Sequence, residues 1–243
     1  MNSDKRNQIL PKINLILSGI ALILAIFALC FQFSTSINSY FPNNIFDLVK
    51  NSVVEIKADS ETYGSAYGSA VCIDENHLIT NAHILIYEDQ ERTEPYESVS
   101  FRPYNSNEYY PVSIINYDID KDLCLLKFDG NYENLNPISV RSHPEIKAGE
   151  KVYAVGNALN HGIGITEGIV SIPYINIDIN DNQTMVIQCD IVITSGSSGG
   201  ALLDEKGQLI GVTTFRVKDP NGYIVYGVGF AIPTITIESF LTK

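Results

Sequence analysis

Residues 13–33, INLILSGIALILAIFALCFQF, form one apolar run without a charge, and only Asn14, Ser18 and Gln32 are clearly polar within it. About 20 such residues carry an α-helix across a bilayer. The pattern then changes. Residues 34–43 (STSINSYFPN) are polar and turn-prone and suit a short stalk, and residues 44–51 (NIFDLVKN) predict one or two helical turns. From Ser52 onward, short apolar stretches alternate with turn signals. They predict strands at Ser52–Lys57, Gly68–Asp74, His77–Thr80, Tyr110–Asn116, Asp122–Phe128, Lys151–Val155, Thr166–Ile172, Thr184–Asp190, Gln208–Phe215 and Tyr223–Ile232. Only Ile235–Leu241, in the C-terminal tail, reads as helical. Strands at spacings of about ten residues with no helices between them indicate an all-β sandwich or barrel. Residues 88–97 (EDQERTEPYE) carry five acids and one Arg and predict a solvated loop.

Basic residues sharpen the reading of the N-terminal segment. Lys5, Arg6 and Lys12 precede the apolar run, so the positive-inside rule puts residues 1–12 in the cytoplasm. On this reading residues 13–33 are an uncleaved signal-anchor helix and residues 44–243 are extracytoplasmic. The rival is a cleaved signal peptide and a secreted product. Its apolar core is usually shorter, roughly 7–15 residues, and Ser34-Thr35-Ser36 offers only a weak cleavage site. A lipoprotein site at Cys30 is opposed by bulky Leu29 beside it.

The 243 residues carry 16 Lys and Arg against 28 Asp and Glu, a net charge of −12. The N-terminal arm is itself basic, so the remainder is more acidic still. Such a body lacks the basic footprint of a nucleic-acid binder. An apolar share of 45% is enough for a buried core and excludes general disorder. Cys30, Cys72, Cys124 and Cys189 include no C-x-x-C pair, so no zinc or iron–sulfur site is expected. With Cys30 in the apolar run, three remain. An odd number reads as single buried thiols rather than a disulfide framework.

Three segments carry chemistry. TSGSSGGALLDEKGQLIGV (194–212) places Ser198 in a tight glycine-flanked turn. A nucleophilic serine needs an exposed oxygen and converging backbone N–H groups where an oxyanion forms, here those of Gly196 and Ser198. The same string also reads as a plain Gly/Ser turn between strands. LITNAHIL (78–85) ends an apolar strand in a polar turn bearing His83, whereas His77, His143 and His161 fall in surface turns and loops. DIDKDLCLLKF (118–128) sets Asp122 at the mouth of a strand, well placed to accept a hydrogen bond from an imidazole Nδ1. Asp118 and Asp120 precede the strand and are expected to be solvated. Each segment alone is modest; His, Asp and Ser in that order are not.

Taken together these segments resemble the trypsin-like serine proteases, and more closely their HtrA/Deg branch, from about residue 44 to 240. GSAVCIDENHLITNAHIL (68–85) resembles the stretch leading to the family's catalytic His, and DLCLLKF (122–128) its Asp strand. VYAVGNALNHGIGITEGIVS (152–171), QCDIVITSGSSGGALLDEKGQLIGV (188–212) and YGVGFAIP (226–233) continue the likeness. The resemblance implies two six-stranded β-barrels, one about residues 52–135 and the other about 150–235, with a cleft between them. It also implies a His83, Asp122 and Ser198 triad, no cofactor or metal, polypeptide substrates, and a homotrimer, which is common among HtrA relatives.

Departures bear on detail. Ser197 stands where the digestive proteases have Asp, so no activation by a newly cut N-terminus is expected. Thr194-Ser195 replaces the usual Asn-Pro, and Cys189 a common Thr. The chain stops about ten residues after FAIP, so the family's PDZ domain is expected to be missing. Val192, six residues before Ser198, is expected at the base of the S1 pocket. Thr213, Thr214 and Phe215 are expected to bind substrate beside it. An uncharged base speaks against cleavage after Lys or Arg, and the strand Gly211–Val217 has no His to select glutamate. The leading expectation is a membrane-anchored serine endopeptidase acting on unfolded or envelope proteins. The runner-up is a pseudoprotease that keeps the cleft as a peptide-binding module. A third, a structural spacer of the envelope, fits an intact triad poorly.

Overall fold

Alternating apolar positions broken by turn residues fold Ile45–Lys243 into two closed six-stranded barrels. The computed structural model describes residues 17–29, 44–88, 92–132, 135–142, 145–179, 182–218 and 224–242. A separate unit, Met1–Asn44, contains the helical residues 17–29, whose large apolar side chains are exposed. No helix among the described residues is long and apolar enough to cross a membrane. The rest of the 13–33 run, residues 1–12 and the stalk at 34–43 lie outside the described residues.

A short helix α1 (Ile45–Val49) leads into β1 (Val53–Ser60), β2 (Gly64–Cys72) and β3 (His77–Thr80). One helical turn, α2 (Ala82–Leu85), follows, then β4 (Ile86–Glu88), β5 (Thr93–Pro95), β6 (Ser98–Arg102), β7 (Tyr110–Asp118) and β8 (Leu123–Lys127). The first barrel closes in the order β1-β2-β3-β8-β7-β6, and β4 pairs with β5 as a separate ribbon. The second half comprises β9 (Lys151–Gly156), a 3₁₀ turn (Ala158–Asn160), β10 (Gly164–Ile179), β11 (Asn182–Cys189), β12 (Ala201–Leu203), β13 (Leu209–Lys218), β14 (Ile224–Pro233) and α3 (Thr234–Leu241). Its barrel closes as β10-β11-β14-β13-β12-β9.

The all-β, two-barrel expectation holds, with four local differences. β6 was not predicted, because only Val99 and Phe101 among its residues are apolar and buried. β12 is only three residues long, too short to show a period. β10 and β11 run further than expected, as a long hairpin whose register shifts on either side of Ile172, the second shift spanning Pro173, which has no N–H to give. Part of the acidic stretch 88–97, expected as a loop, is strand: Thr93–Pro95 pairs with β4 yet stays exposed.

Three apolar clusters explain the architecture. Val54, Ile56, Leu78, Phe101 and Leu126 fill the first barrel, and Val152, Val170, Ile187, Leu202 and Ile210 the second. Between them, Val53, Val71, Ile79 and Leu123 of the first half meet Val155, Leu203, Val212 and Ile232 of the second, closed off by Val49, Ile237 and Phe240. This middle layer sets the strand ends that carry the polar site. Cys72, Cys124 and Cys189 are buried and unbridged, and burial pushes each thiol up to about 12. Cys30 lies outside the described residues.

Candidate active site

β3 ends at Thr80, and the buried Asn81 begins the turn α2, whose second residue is His83. Asp122 stands just before β8 rather than inside it, in the left-handed region at φ 52°, which Asp tolerates better than most residues. That backbone twist turns the carboxylate toward α2. His83 Nδ1 lies 2.9 Å from both Asp122 oxygens, and the His83 amide N–H donates to Oδ1 at 3.0 Å. The Asn81 side-chain amide donates to the Asp122 carbonyl at 3.0 Å, tying the two turns together. Asp122 is 7% exposed, whereas 47% of the His83 side chain is open. Burial pulls the His83 pKa down, but the charge of Asp122 and its hydrogen bond outweigh this and leave it above the ordinary 6.5. Asp118 instead accepts from the Lys121 amide, and the Asp120 carbonyl accepts from Thr184.

The second barrel brings Ser198 and Thr214. β13 pairs with β14 at Thr213 and again at Arg216, with a register shift between. Such a bulge takes Thr214 out of the ladder and re-aims it. Its hydroxyl donates to Asp122 Oδ2 at 2.6 Å, and its carbonyl accepts from Ser198 Oγ at 2.6 Å. Ser198 therefore reaches the Asp122–His83 pair through one residue, with its hydroxyl resting on Thr214.

The turn around Ser198 is held tightly. Gly196 and Gly199 have φ of 88° and 82°, values that favour glycine. A Cβ on Gly199 would stand 2.0 Å from the Ser69 carbonyl oxygen, and one on Gly196 2.2 Å from that of Asn157. The Ser195 carbonyl accepts from Leu159 N–H at 2.7 Å, so the Gly196 N–H, opposite it in a trans peptide, points away from that loop. Among the described residues, neither the Gly196 nor the Ser198 N–H has a protein acceptor.

The other expected binding residues are placed differently. Thr213 is buried with its hydroxyl on the Ser197 carbonyl at 2.7 Å, and Thr214 is wholly buried, so neither hydroxyl is open to a substrate. Val192 is 59% exposed between buried Ile191 and Ile193, not at the floor of an enclosed pocket. Phe215 belongs to β13, but its side chain lies outside the described residues. Sequence reasoning missed Ser69, whose N–H donates to the Ser198 carbonyl and whose hydroxyl donates to that of Gly196, both at 2.8 Å. It also missed Asn157, whose N–H donates to Ser69 Oγ at 2.8 Å. Asn157 falls in the Gly-Asn pair of the family resemblance, which was the available signal.

Two packed barrels, with an Asp–His pair on one and a glycine-bounded serine turn on the other, are the arrangement of the trypsin-like peptidases. The trypsin-like peptidase domain matches residues 68–212, and the chain belongs to that family, in its HtrA/Deg branch. Protease Do-like 1 of Arabidopsis thaliana chloroplasts is 32% identical over 174 residues, 70% of this chain and 37% of its own. A probable periplasmic DegP-like serine endoprotease of Buchnera aphidicola (subsp. Schizaphis graminum) is 34% identical over 173 residues, 69% of this chain and 33% of its own. Serine endoprotease DegS of Haemophilus influenzae is 30% identical over 178 residues, 72% of this chain and 49% of its own. The chain thus spans about a third to a half of the length of these curated relatives. Among solved structures, the HtrA-type protease AlgW with tripeptide superposes with a TM-score of 0.68 at 27% identity, over 82% of this chain and 62% of that one. The active form of the Rv3671c protease of M. tuberculosis shares the fold, with a TM-score of 0.69 at 19% identity over 83% and 84% of the two chains.

Proposed function

We propose that residues 44–243 are a serine endopeptidase that cleaves polypeptides, unfolded or envelope proteins among them, through an acyl-enzyme. The observation that carries this reading is the buried Asp122 carboxylate, which takes both His83 Nδ1 and the Thr214 hydroxyl while Ser198 rests on the Thr214 carbonyl. Asp122 holds the imidazole in the tautomer with its proton on Nδ1, leaving Nε2 basic. Ser198 turns from Thr214 toward Nε2, a rotation that free enzymes commonly need before reaction. His83 takes the hydroxyl proton as Ser198 Oγ bonds to the scissile carbonyl carbon. The oxyanion meets the unpartnered N–H groups of Gly196 and Ser198. His83 then gives its proton to the departing amine, and water repeats the sequence on the ester. The exposed apolar Val192 suits an uncharged side chain in the substrate.

The test is a fluorophosphonate label and casein hydrolysis on purified residues 34–243. Ser198→Ala loses labelling and about 10⁴–10⁶ in rate with an unchanged melting temperature. Hydrolysis surviving in that variant would overturn the assignment.

We further propose that the enzyme is tethered outside the cytoplasmic membrane by residues 13–33 and assembles as a homotrimer. The uncharged run, the basic residues before it and the exposed apolar side chains of residues 17–29 support the tether. The family resemblance supports the trimer. Full-length protein in the membrane pellet, cut by protease added to spheroplasts, is the expected result. A soluble form starting near residue 34 means a cleaved signal peptide instead. Light scattering on residues 34–243 checks the trimer, and a monomer at all concentrations refutes it.

A further inference from the structure

We propose that the ion pair of buried Glu55 with half-buried Arg102 is a positioning device for the oxyanion turn, acting through Asn157; the proposal rests on the catalytic reading above. Glu55 is an acid in the middle of the apolar strand β1. Its neighbours Val54 and Ile56 point into the first barrel, so the pleat sends Glu55 to the outer face. Strand register places Ser69 of β2 and Arg102 of β6 directly opposite it on the two sides, which makes a polar rung across three strands.

That rung meets the second barrel. Glu55 is 6% exposed, and its carboxylate accepts from Arg102 Nε at 3.2 Å and from the terminal Arg102 nitrogen at 2.7 Å. It also accepts from Asn157 Nδ2 at 2.9 Å. The Gly162 N–H donates to Asn157 Oδ1 at 2.9 Å, so both ends of the Asn157 amide are fixed and it cannot reverse. With its side chain pinned, the Asn157 backbone does two things. Its N–H holds Ser69 Oγ, which donates to the Gly196 carbonyl, and its own carbonyl packs against the Gly196 Cα. Gly196, donor of one unpartnered N–H, is gripped from both sides by groups that Glu55 orders.

Stability alone accounts poorly for the charge. Taking the Glu55 carboxylate out of water offsets much of what its pairing with Arg102 returns, and the apolar layer beside it already joins the barrels. What the carboxylate supplies that an apolar side chain cannot is direction. It fixes one amide in one orientation, with Arg102 held in turn over the Tyr109 ring at 4.9 Å.

The experiment compares Glu55→Gln, Asn157→Ala and the double variant with wild type, using residues 34–243, a peptide ester and a peptide boronate that forms a tetrahedral adduct at the serine. Glu55→Gln is expected to lower kcat by about 10- to 100-fold with KM within about twofold, because the displaced N–H serves mainly the transition state. Boronate affinity is expected to fall in parallel with kcat/KM. Asn157→Ala leaves the ion pair in place, so it keeps the test alive if Glu55→Gln does not fold. It is expected to show the same loss, with the double variant no worse than either single one. A lower melting temperature with unchanged kcat and boronate affinity would reduce the pair to a staple and overturn the proposal. Losses that add in full in the double variant would overturn it as well. If wild type neither labels with fluorophosphonate nor turns over, the catalytic reading itself fails and this proposal with it.

Discussion

The two halves of the site are stiffened in opposite ways. On the first barrel, His83 and Asp122 are fixed by groups of their own barrel: the His83 amide, the His83 ring and Asn81 all bond to Asp122, and among the described residues only the Thr214 hydroxyl comes from outside. On the second barrel, the Ser198 turn depends on its neighbour. Its carbonyls at 196 and 198 both accept from Ser69, and Gly199 presses against Ser69 and Thr80 of the first barrel, while Gly196 presses against Asn157 of its own. The charge-bearing half is self-contained. The serine half is held by its own barrel through Leu159, Thr213 and Thr214 and by the first barrel through Ser69, so damage there is expected to reach the fold as well as the chemistry.

Gly199→Ala breaks the comparison hardest. Its new Cβ would sit 2.0 Å from the Ser69 carbonyl oxygen and 2.2 Å from Thr80 Oγ1, at a φ of 82° that alanine resists. Activity is expected to vanish, and about 3 kcal/mol or more of stability with it, because backbone rather than a flexible side chain must yield. Chemical denaturation and fluorophosphonate labelling read the two losses. A stable, inactive Gly199→Ala would show that the turn is not leaning on the first barrel.

Asp122→Asn tests the self-contained half. Asn accepts the left-handed backbone, so the fold is expected to persist while kcat falls by about 10⁴ from loss of the correct tautomer. The pH profile gives the sign. His83 must be neutral to act, and its pKa is raised, so wild-type kcat/KM is expected to rise with pH through a value above 6.5. Folding favours protonated His83, so its contribution to stability is complete below the unfolded pKa of about 6.5 and is lost as pH climbs through the raised folded value. The enzyme is thus most active where that contribution is gone. In Asp122→Asn the rise moves to lower pH; an unmoved profile would detach Asp122 from His83.

Thr214→Val probes the bond that ties the serine half to the Asp122 carboxylate. It keeps volume but removes a buried donor to Asp122 Oδ2, at a stability cost of about 1–3 kcal/mol. Losing one of the donors that shares the carboxylate's charge leaves more of it to His83. The activity rise is expected to shift upward in pH, with kcat about tenfold lower. Unchanged kcat and profile would make Thr214 a packing residue only.

Thr214 also marks where the sequence stopped being readable. The barrels and the order of His83, Asp122 and Ser198 follow from alternation, turn residues and family motifs, all local signals. Thr214 stands among the expected substrate-binding residues, and no local signal shows that a bulge between Thr213 and Arg216 brings its hydroxyl onto Asp122. Val192 is expected at the base of the S1 pocket from the family resemblance, which does not say how far its side chain is covered. Sequence reasoning also missed Glu55, the acid inside VVEIK, whose partners lie 47 and 102 positions away. Periodicity flags such a residue as needing partners without identifying them.

The smallest effect sharpens the comparison. Cys72 and Cys124 belong to the first barrel and Cys189 to the second, and burial pushes all three thiols up to about 12. At pH 8 the thiolate is then about one part in 10⁴, and what exists of it is shielded from reagent. Iodoacetamide is therefore expected to leave activity unchanged and these thiols unmodified over hours, while all three react in denaturant. Mass spectrometry of peptides from protein exposed to sub-denaturing urea reads which opens first. β11 meets β14 at Ile187, Gln188 and Cys189, and β2 meets β3 at Val71 and Cys72, so each barrel has a short seam that carries a cysteine, whereas Cys124 sits on β8, which pairs more extensively with β3 and β7. Cys189 is expected to label before Cys124. Simultaneous labelling would mean that the barrels open as one unit, and the serine turn would then owe its shape to a single cooperative fold rather than to a neighbour that can leave it.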